Sequence, residues 1–290
     1  MIAVALLAAA LQAGAPPQHP AVRGTRVGAP RAARVKRPVA RTSWVPATGA
    51  RVVIDAGHGG VDPGAPIKSK GGLFEKSVTL QVAFKLGDAL RLRGIDVVYT
   101  RTRDTLIALA DRGRMANQGG GDILISIHVN AASTHWKNPG AARGFETYFL
   151  AEARTEDARR VEAMENDAMR FEGAPNRDPR DPLSFILRDM EQNQYLRESA
   201  DFAATVQRRL GVVHPGHSRG VKQAGFQVLV TALMPAILVE IGFGTNAAEA
   251  ASLASATWQQ SMASAIADAT AEYLDRYQRR AGSSSTGAHD

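Results

Sequence analysis

At 290 residues with 44% hydrophobic side chains, the chain is long enough for one large domain or a domain with an appendage. It has no cysteine, which excludes a disulfide framework and any thiolate metal site. The net charge of +7 resides in a tail: residues 1–50 hold seven basic residues and no acid, so residues 51–290 balance 28 bases against 28 acids, which argues against a nucleic-acid binder built on a basic fold.

Taken in chain order, residues 2–11 (IAVALLAAAL) are too short an apolar run to span a bilayer. They suit the apolar core of a secretory signal peptide, with Ala13-Gly14-Ala15 as the small-residue cleavage site. Residues 1–15 are therefore expected to be a leader. Residues 16–50, with six prolines and scattered arginines, read as a disordered basic linker, either a plain tether or a contact for anionic polymers. The folded domain is expected over 51–280, and residues 281–290 read as a disordered tail.

Within the domain, Arg51 to Ile54 form a β-branched strand that breaks into Asp55-Ala56-Gly57-His58-Gly59-Gly60. Glu75 opens a helix whose Val78, Val82, Leu86 and Leu90 recur every four residues as one buried stripe. Ile95 to Thr100 form the next strand, and a helix follows from about Leu106 to Asn117. Residues 122–131 (DILISIHVNA) are an apolar strand carrying His128 and Asn130, and residues 144–150 (GFETYFL) are a further strand. Residues 151–210 interrupt the alternation. Between 151 and 192 there are eleven acids and seven bases, and Val161, Met164, Ala168 and Phe171 keep helical spacing. Asp178-Pro179-Arg180-Asp181-Pro182 breaks the chain, and a helix is expected from Leu183 to about Leu210. Val228 to Val230 read as a short strand, Ala236 to Ile241 as the strand bearing Glu240, and Trp258 to Tyr277 as a last helix. Strands alternating with helices predict an α/β single domain: a twisted, mostly parallel or mixed sheet flanked by helices on both faces, with an inserted helical segment.

Three apolar strands thus deliver His58, His128 and Glu240 at or near their C-terminal ends, where α/β folds place their sites. One loop histidine carries little by itself, but a charge inside an apolar run is costly unless paired or metal-bound. Glu240 has two readings on its position alone, a general base or the partner of an arginine such as Arg219. Glu75 likewise reads as a first-turn acid favoured by the helix dipole or as a ligand.

The motifs IDAGHGGVDPGA, FEKSVTL, SIHVNA, GFETYFL and MPAILVEIGFGTN fall in order across residues 52–246. Together they resemble the zinc-dependent N-acetylmuramoyl-L-alanine amidases of the amidase 3 family, of the periplasmic cell-wall type. The resemblance implies that His58, Glu75 and His128 bind Zn²⁺ with one open position. It implies that Glu240 is the catalytic acid–base. It implies hydrolysis of the amide between N-acetylmuramic acid and L-alanine of the peptidoglycan stem peptide by zinc-activated water, in wall remodelling and daughter-cell separation. Asp55, Asn130 and Asn246 stand beside the motifs as candidates to orient ligands or substrate. Arg101 reads as structural.

The insertion at 151–195 is expected to act as a lid. Its helix sets Glu165, with Glu162 and Glu172, at the edge of an apolar stripe, so that a docked helix offers carboxylates to the open zinc position. The other reading is a solvated acidic hairpin. The resemblance to periplasmic members of the family implies an activator protein that displaces the helix. Beyond peptidoglycan and that activator no partner is expected: no nucleic acid, no transmembrane segment, and a monomeric, exported chain in the periplasm. A non-catalytic wall-binding module on the same fold is the alternative. It predicts loss of a ligand or of Glu240, and all four are present.

Overall fold

Three apolar stretches, 51–56, 123–130 and 236–243, pair side by side because they are buried on both faces along nearly all their length, as a parallel sheet requires. The computed structural model describes residues 49–69, 71–133, 135–172 and 182–286, except the side chains of 182–194 and 280–286. The leader, nearly all of the linker and the break at 178–181 lie outside these residues. The strands are β1 (Arg51–Ala56), β2 (Asp96–Tyr99), β3 (Ile123–Asn130), β4 (Phe145–Leu150), β5 (Ser218–Ala224) and β6 (Ala236–Phe243). They form one sheet in the order β2-β1-β3-β6-β4-β5. The first four in that order run parallel, β4 is antiparallel to β6, and β5 is parallel to β4.

The helices are α1 (Glu75–Arg91), α2 (Leu109–Gln118), α3 (Glu156–Asn166), α4 (Pro182–Val213), α5 (Gln227–Val230), α6 (Ala247–Leu253) and α7 (Ala256–Thr286). In α1 the stripe of Val78, Val82, Leu86 and Leu90 is fully buried. Pro182 stands at the first position of α4, where its missing N–H costs nothing. Val228 to Val230, read as a short strand, lie instead in a single helical turn, α5. Residues 218–224, passed over in the sequence, are an edge strand. The last helix continues to Thr286, six residues into the stretch read as a tail. No helix of the described residues is long and apolar enough to cross a membrane.

The period of two along each strand decides what faces what. Val53, Leu124, Tyr148 and Leu238 pack with residues of α2, α3 and α5 in one apolar cluster. The same face carries Asp55, Ser126, His128, Glu146 and Glu240 further along the strands. Register then sets Asp55 beside Ser126, and His128 beside Glu240 beside Glu146. One face of the sheet thus changes from oil to a row of polar groups under α3.

Candidate metal centre

His58 is delivered by the turn that ends β1. It takes a positive φ of 60°, a conformation rare for a side-chain-bearing residue, amid glycines that also turn left-handed. Two of the glycines are required by close approach. A β-carbon on Gly57 would fall 2.4 Å from the His128 ring, and one on Gly64, which also has positive φ, 2.6 Å from the His58 ring. The rings of His58 and His128 therefore meet edge to face, with centroids 4.9 Å apart.

Two of the donors, His58 and Glu75, are aimed by a second contact. Asp62 Oδ2 lies 2.7 Å from His58 Nδ1, which leaves Nε2 to face inward. Glu75 begins α1. Its Oε2 accepts the Ala65 N–H at 2.8 Å and its Oε1 the Val129 N–H at 2.7 Å. Glu75 Oε1 stands 3.2 Å from both His58 Nε2 and His128 Nδ1. A fourth group joins them: Glu165 of α3 places Oε2 at 2.7 Å from His128 Nδ1 and 3.1 Å from His58 Nε2. Donor atoms of all four residues lie within 4.8 Å of one another, and all four residues are buried. Yet His58 Nε2, His128 Nδ1 and both Glu165 oxygens make no hydrogen bond of good geometry. They point at a shared centre rather than along one another's lone pairs. Two imidazoles and two carboxylates converging in this way could hold a metal ion.

Charge reinforces the arrangement. Burial disfavours the His58 cation, but the Glu75 carboxylate, with Asp62 and Glu165, pushes its pKa well above the ordinary value. Burial raises the Glu240 carboxyl, and the Glu165 charge raises it further, so Glu240 is held well above the usual carboxylate range. Neither Glu240 oxygen has a hydrogen-bond partner. Arg219 pairs with Glu146, with Nε 3.0 Å from Oε2, and not with Glu240.

The other sequence candidates divide. Asn130 donates to Glu146 Oε1 at 2.6 Å and accepts from Arg160 of α3 at 3.2 Å, at the edge of the site. Asp55 is buried at a salt bridge of 2.9 Å to Arg112, which also donates to the Ala56 and His58 carbonyls. Asp55 thus fixes the turn behind the cluster. Asn246 caps α6 by accepting from Ala248 and Glu249 N–H and donates to the Gly140 carbonyl, a structural task. Of the three lid carboxylates only Glu165 reaches the cluster. Glu172 Oε1 accepts the Leu109 N–H at the start of α2, and Glu162 lies against Gly225. The helix read through Phe171 ends at Asn166 and tightens into a 3₁₀ turn over Asp167–Phe171, which carries Glu172 away from the metal face. Arg101 binds the Ala56 and Gly57 carbonyls, as a structural residue does. Asp62 and Glu146 were missed. The signal for Glu146 was the one used for Glu240, an acid inside an apolar run.

The model of the N-acetylmuramoyl-L-alanine amidase family, amidase 3, matches residues 52–272. N-acetylmuramoyl-L-alanine amidase AmiA of Escherichia coli is 35% identical over 225 residues, 77% of this chain and 75% of that one. AmiC of Neisseria meningitidis is 34% identical over 226 residues, 77% of this chain and 52% of its own. Among solved structures, an N-acetylmuramoyl-L-alanine amidase from Clostridium difficile 630 aligns at 31% identity with a TM-score of 0.58, over 78% of this chain and 97% of that one.

Proposed function

The chain belongs to the N-acetylmuramoyl-L-alanine amidase family, and on that premise we propose that His58, Glu75 and His128 hold a zinc ion beside which Glu240 moves the proton of a peptidoglycan amide hydrolysis. The observation that carries this is the convergence of donor atoms from the turn after β1, from α1 and from β3, of which His58 Nε2 and His128 Nδ1 make no hydrogen bond, next to a buried glutamate with no partner. When bound there, zinc supplies a Lewis acid for the amide carbonyl and lowers the pKa of water. The protein's own groups do the rest. Asp62 holds His58 in the tautomer that presents Nε2. Two backbone N–H groups fix the Glu75 carboxylate. Glu240, whose burial raises its proton affinity, accepts a proton from the attacking water and returns it to the leaving amine of L-alanine as the amide C–N bond breaks.

Glu165 adds a regulatory reading. Its carboxylate stands where a substrate oxygen or water would approach, so the structure with α3 in place fits a self-inhibited state. Its apolar side, Ala158 and Val161, packs in the cluster that contains Tyr148 and Phe226. An activator protein that lifts α3 is the partner this reading calls for. Action outside the cytoplasm, in the periplasm, follows from the substrate's place there and from the leader-like residues 1–15.

The test is metal analysis with digestion of purified peptidoglycan. The full chain should bind about one zinc and release peptides that begin with a free L-alanine amine, read by mass. His128→Ala should bind none. Full zinc occupancy in that variant removes His128 from the ligand set.

A further inference from the structure

Beyond the metal cluster, α3 makes a second charged contact at its other end. Asp157 Oδ2 lies 2.8 Å from Arg219 Nη2 and 2.6 Å from Lys222 Nζ, both on β5. Behind them Glu146, fully buried on β4, takes Arg219 Nε at 3.0 Å and Lys222 Nζ on its Oε2. Its Oε1 accepts from Asn130 and from the Tyr148 hydroxyl. The Arg219 guanidinium also lies over the Phe243 ring, 5.0 Å from its centroid. Glu146, Tyr148 and Phe243 therefore fix the two cations from the sheet side. From the other side a single carboxylate meets them.

That carboxylate is on the same helix as Glu165. Eight residues separate Asp157 from Glu165, a rise of about 12 Å along the axis at 1.5 Å per residue. While α3 is docked the local charges are Arg219, Lys222 and Arg160 against Glu146 and Asp157. When α3 leaves, Arg160 and Asp157 leave with it, and Arg219 and Lys222 face Glu146 alone: two cations against one anion. The two cations then face the opened site with a net positive charge, and an anion that enters there restores the balance that Asp157 supplied. Arg219 Nη2 and Lys222 Nζ, the second still held by Glu146, both reach the position of the one Asp157 oxygen, the geometry of charge-assisted carboxylate binding.

The place is close to the chemistry. Glu146 is the cross-strand partner of Glu240, and facing residues on such a pair are about 5 Å apart at their β-carbons. The cations lie one glutamate side chain further, on the order of 10 Å from the scissile bond. An extended peptide covers that in about three residues at 3.3–3.6 Å each.

We infer that Arg219 and Lys222 form a subsite for a backbone or side-chain carboxylate of the stem peptide, two or three residues beyond the bond that is cut, and that Asp157 occupies this subsite while α3 is docked. The inference rests on the amidase reading for the identity of the peptide. On it, α3 imitates substrate at two points, Glu165 at the reaction centre and Asp157 at the carboxylate anchor. Arg219 and Lys222 act by positioning.

The test is calorimetric binding to the zinc-loaded full chain carrying Asp157→Ala and Glu165→Ala together, which frees α3 at both ends. The probes are the dipeptide L-alanyl-D-glutamate and its α-amide. The acid should bind at least tenfold tighter than the amide, and the intact chain should show at most a small part of that preference. Adding Lys222→Met should abolish the preference, and adding Lys222→Arg in its place should keep it. Equal binding of acid and amide, or no binding of either, by the double variant overturns the subsite, whether or not the Lys222 variants fold. So does a preference that survives Lys222→Met. Peptide release from peptidoglycan by the same preparations separates the two readings. A chain that cuts without discriminating loses only the subsite, and one that discriminates without cutting loses only the amidase activity.

Discussion

The two ends of the candidate site are held in different ways. The His58, Glu75 and His128 side is welded to the sheet. Its residues come from a turn, a helix start and a strand, and each is aimed by buried bonds to Asp62, to the Ala65 and Val129 N–H groups, or by the bare Gly57. The α3 side is clipped on. Small apolar residues, Ala158, Val161 and Ala168, supply the packing, and ion pairs at Asp157 and Glu165 supply the direction. Small side chains bury little area, so they contribute little at about 25 cal/mol per Å². The difference teaches how a fixed frame and a cover, removable on the self-inhibition reading, would share one wall: the frame is bonded within the sheet's own residues, and the cover takes charges that the subsite proposed above would use itself.

The sharpest way to break the comparison is at Glu240. Glu240→Gln leaves every frame contact in place, because its oxygens bond to nothing. It should keep zinc and fold and lose about 10²- to 10⁴-fold in the rate of peptide release. A rate near that of the parent removes Glu240 from proton transfer.

A smaller effect of opposite sign is expected on the cover. Glu165→Ala should raise the rate on isolated peptidoglycan at least tenfold, about 1.4 kcal/mol in apparent barrier, with the zinc content unchanged. No rise ends the self-inhibition reading. Excising residues 151–195 is a blunter version, since it strips Ala158, Val161 and Ala168 from the apolar cluster that holds Tyr148 and Phe226.

The smallest effect is the pH response of the clip. Burial works against the Asp157 charge, but Lys222 and Arg219 outweigh it and hold its carboxyl at about 2. Arg160 on its own helix also faces it, and Glu146 shares the same two cations. A depressed pKa in the folded state means the clip is at full strength above the ordinary carboxylate value and is lost as pH falls from about 4 toward 2. Hydrogen-exchange protection of α3 should fall over that window more in the parent than in Asp157→Asn, which isolates Asp157 from Glu165. Equal pH profiles show that the clip does not secure the helix.

The welded half was the legible half. His58 and His128 sit at the ends of apolar strands bounded by glycine, and Glu240 is an acid in an apolar run; such signals are local in sequence. Glu75 needed the family resemblance to be separated from a first-turn acid. The clipped half was legible only as one helix with three candidate carboxylates, Glu165, Glu162 and Glu172, of which Glu165 alone reaches the cluster. Arg219 and Lys222 lie on an edge strand, SRGVKQA, that has no apolar face to announce it, and their partner Asp157 is more than sixty residues away. Val228 misled in the other direction, because local β-preference yields when the chain must turn back into β6. Asn246, offered as a residue that orients ligands or substrate, carried a further signal openly: an asparagine before Ala-Ala-Glu-Ala is an N-cap.

The parallel pairing of β4 and β5 has a consequence for how such an enzyme can be varied over evolution. Two neighbouring strands that run the same way cannot be joined by a tight hairpin; the chain must cross the sheet to return. Residues 151–217 make that crossing, and α3 lies within it. Lengthening a connection that already exists costs chain entropy only logarithmically, about 0.6 kcal/mol for each doubling. A lineage can therefore gain, lengthen or lose the cover without moving a strand, so control of the enzyme can change while its catalytic frame is inherited intact.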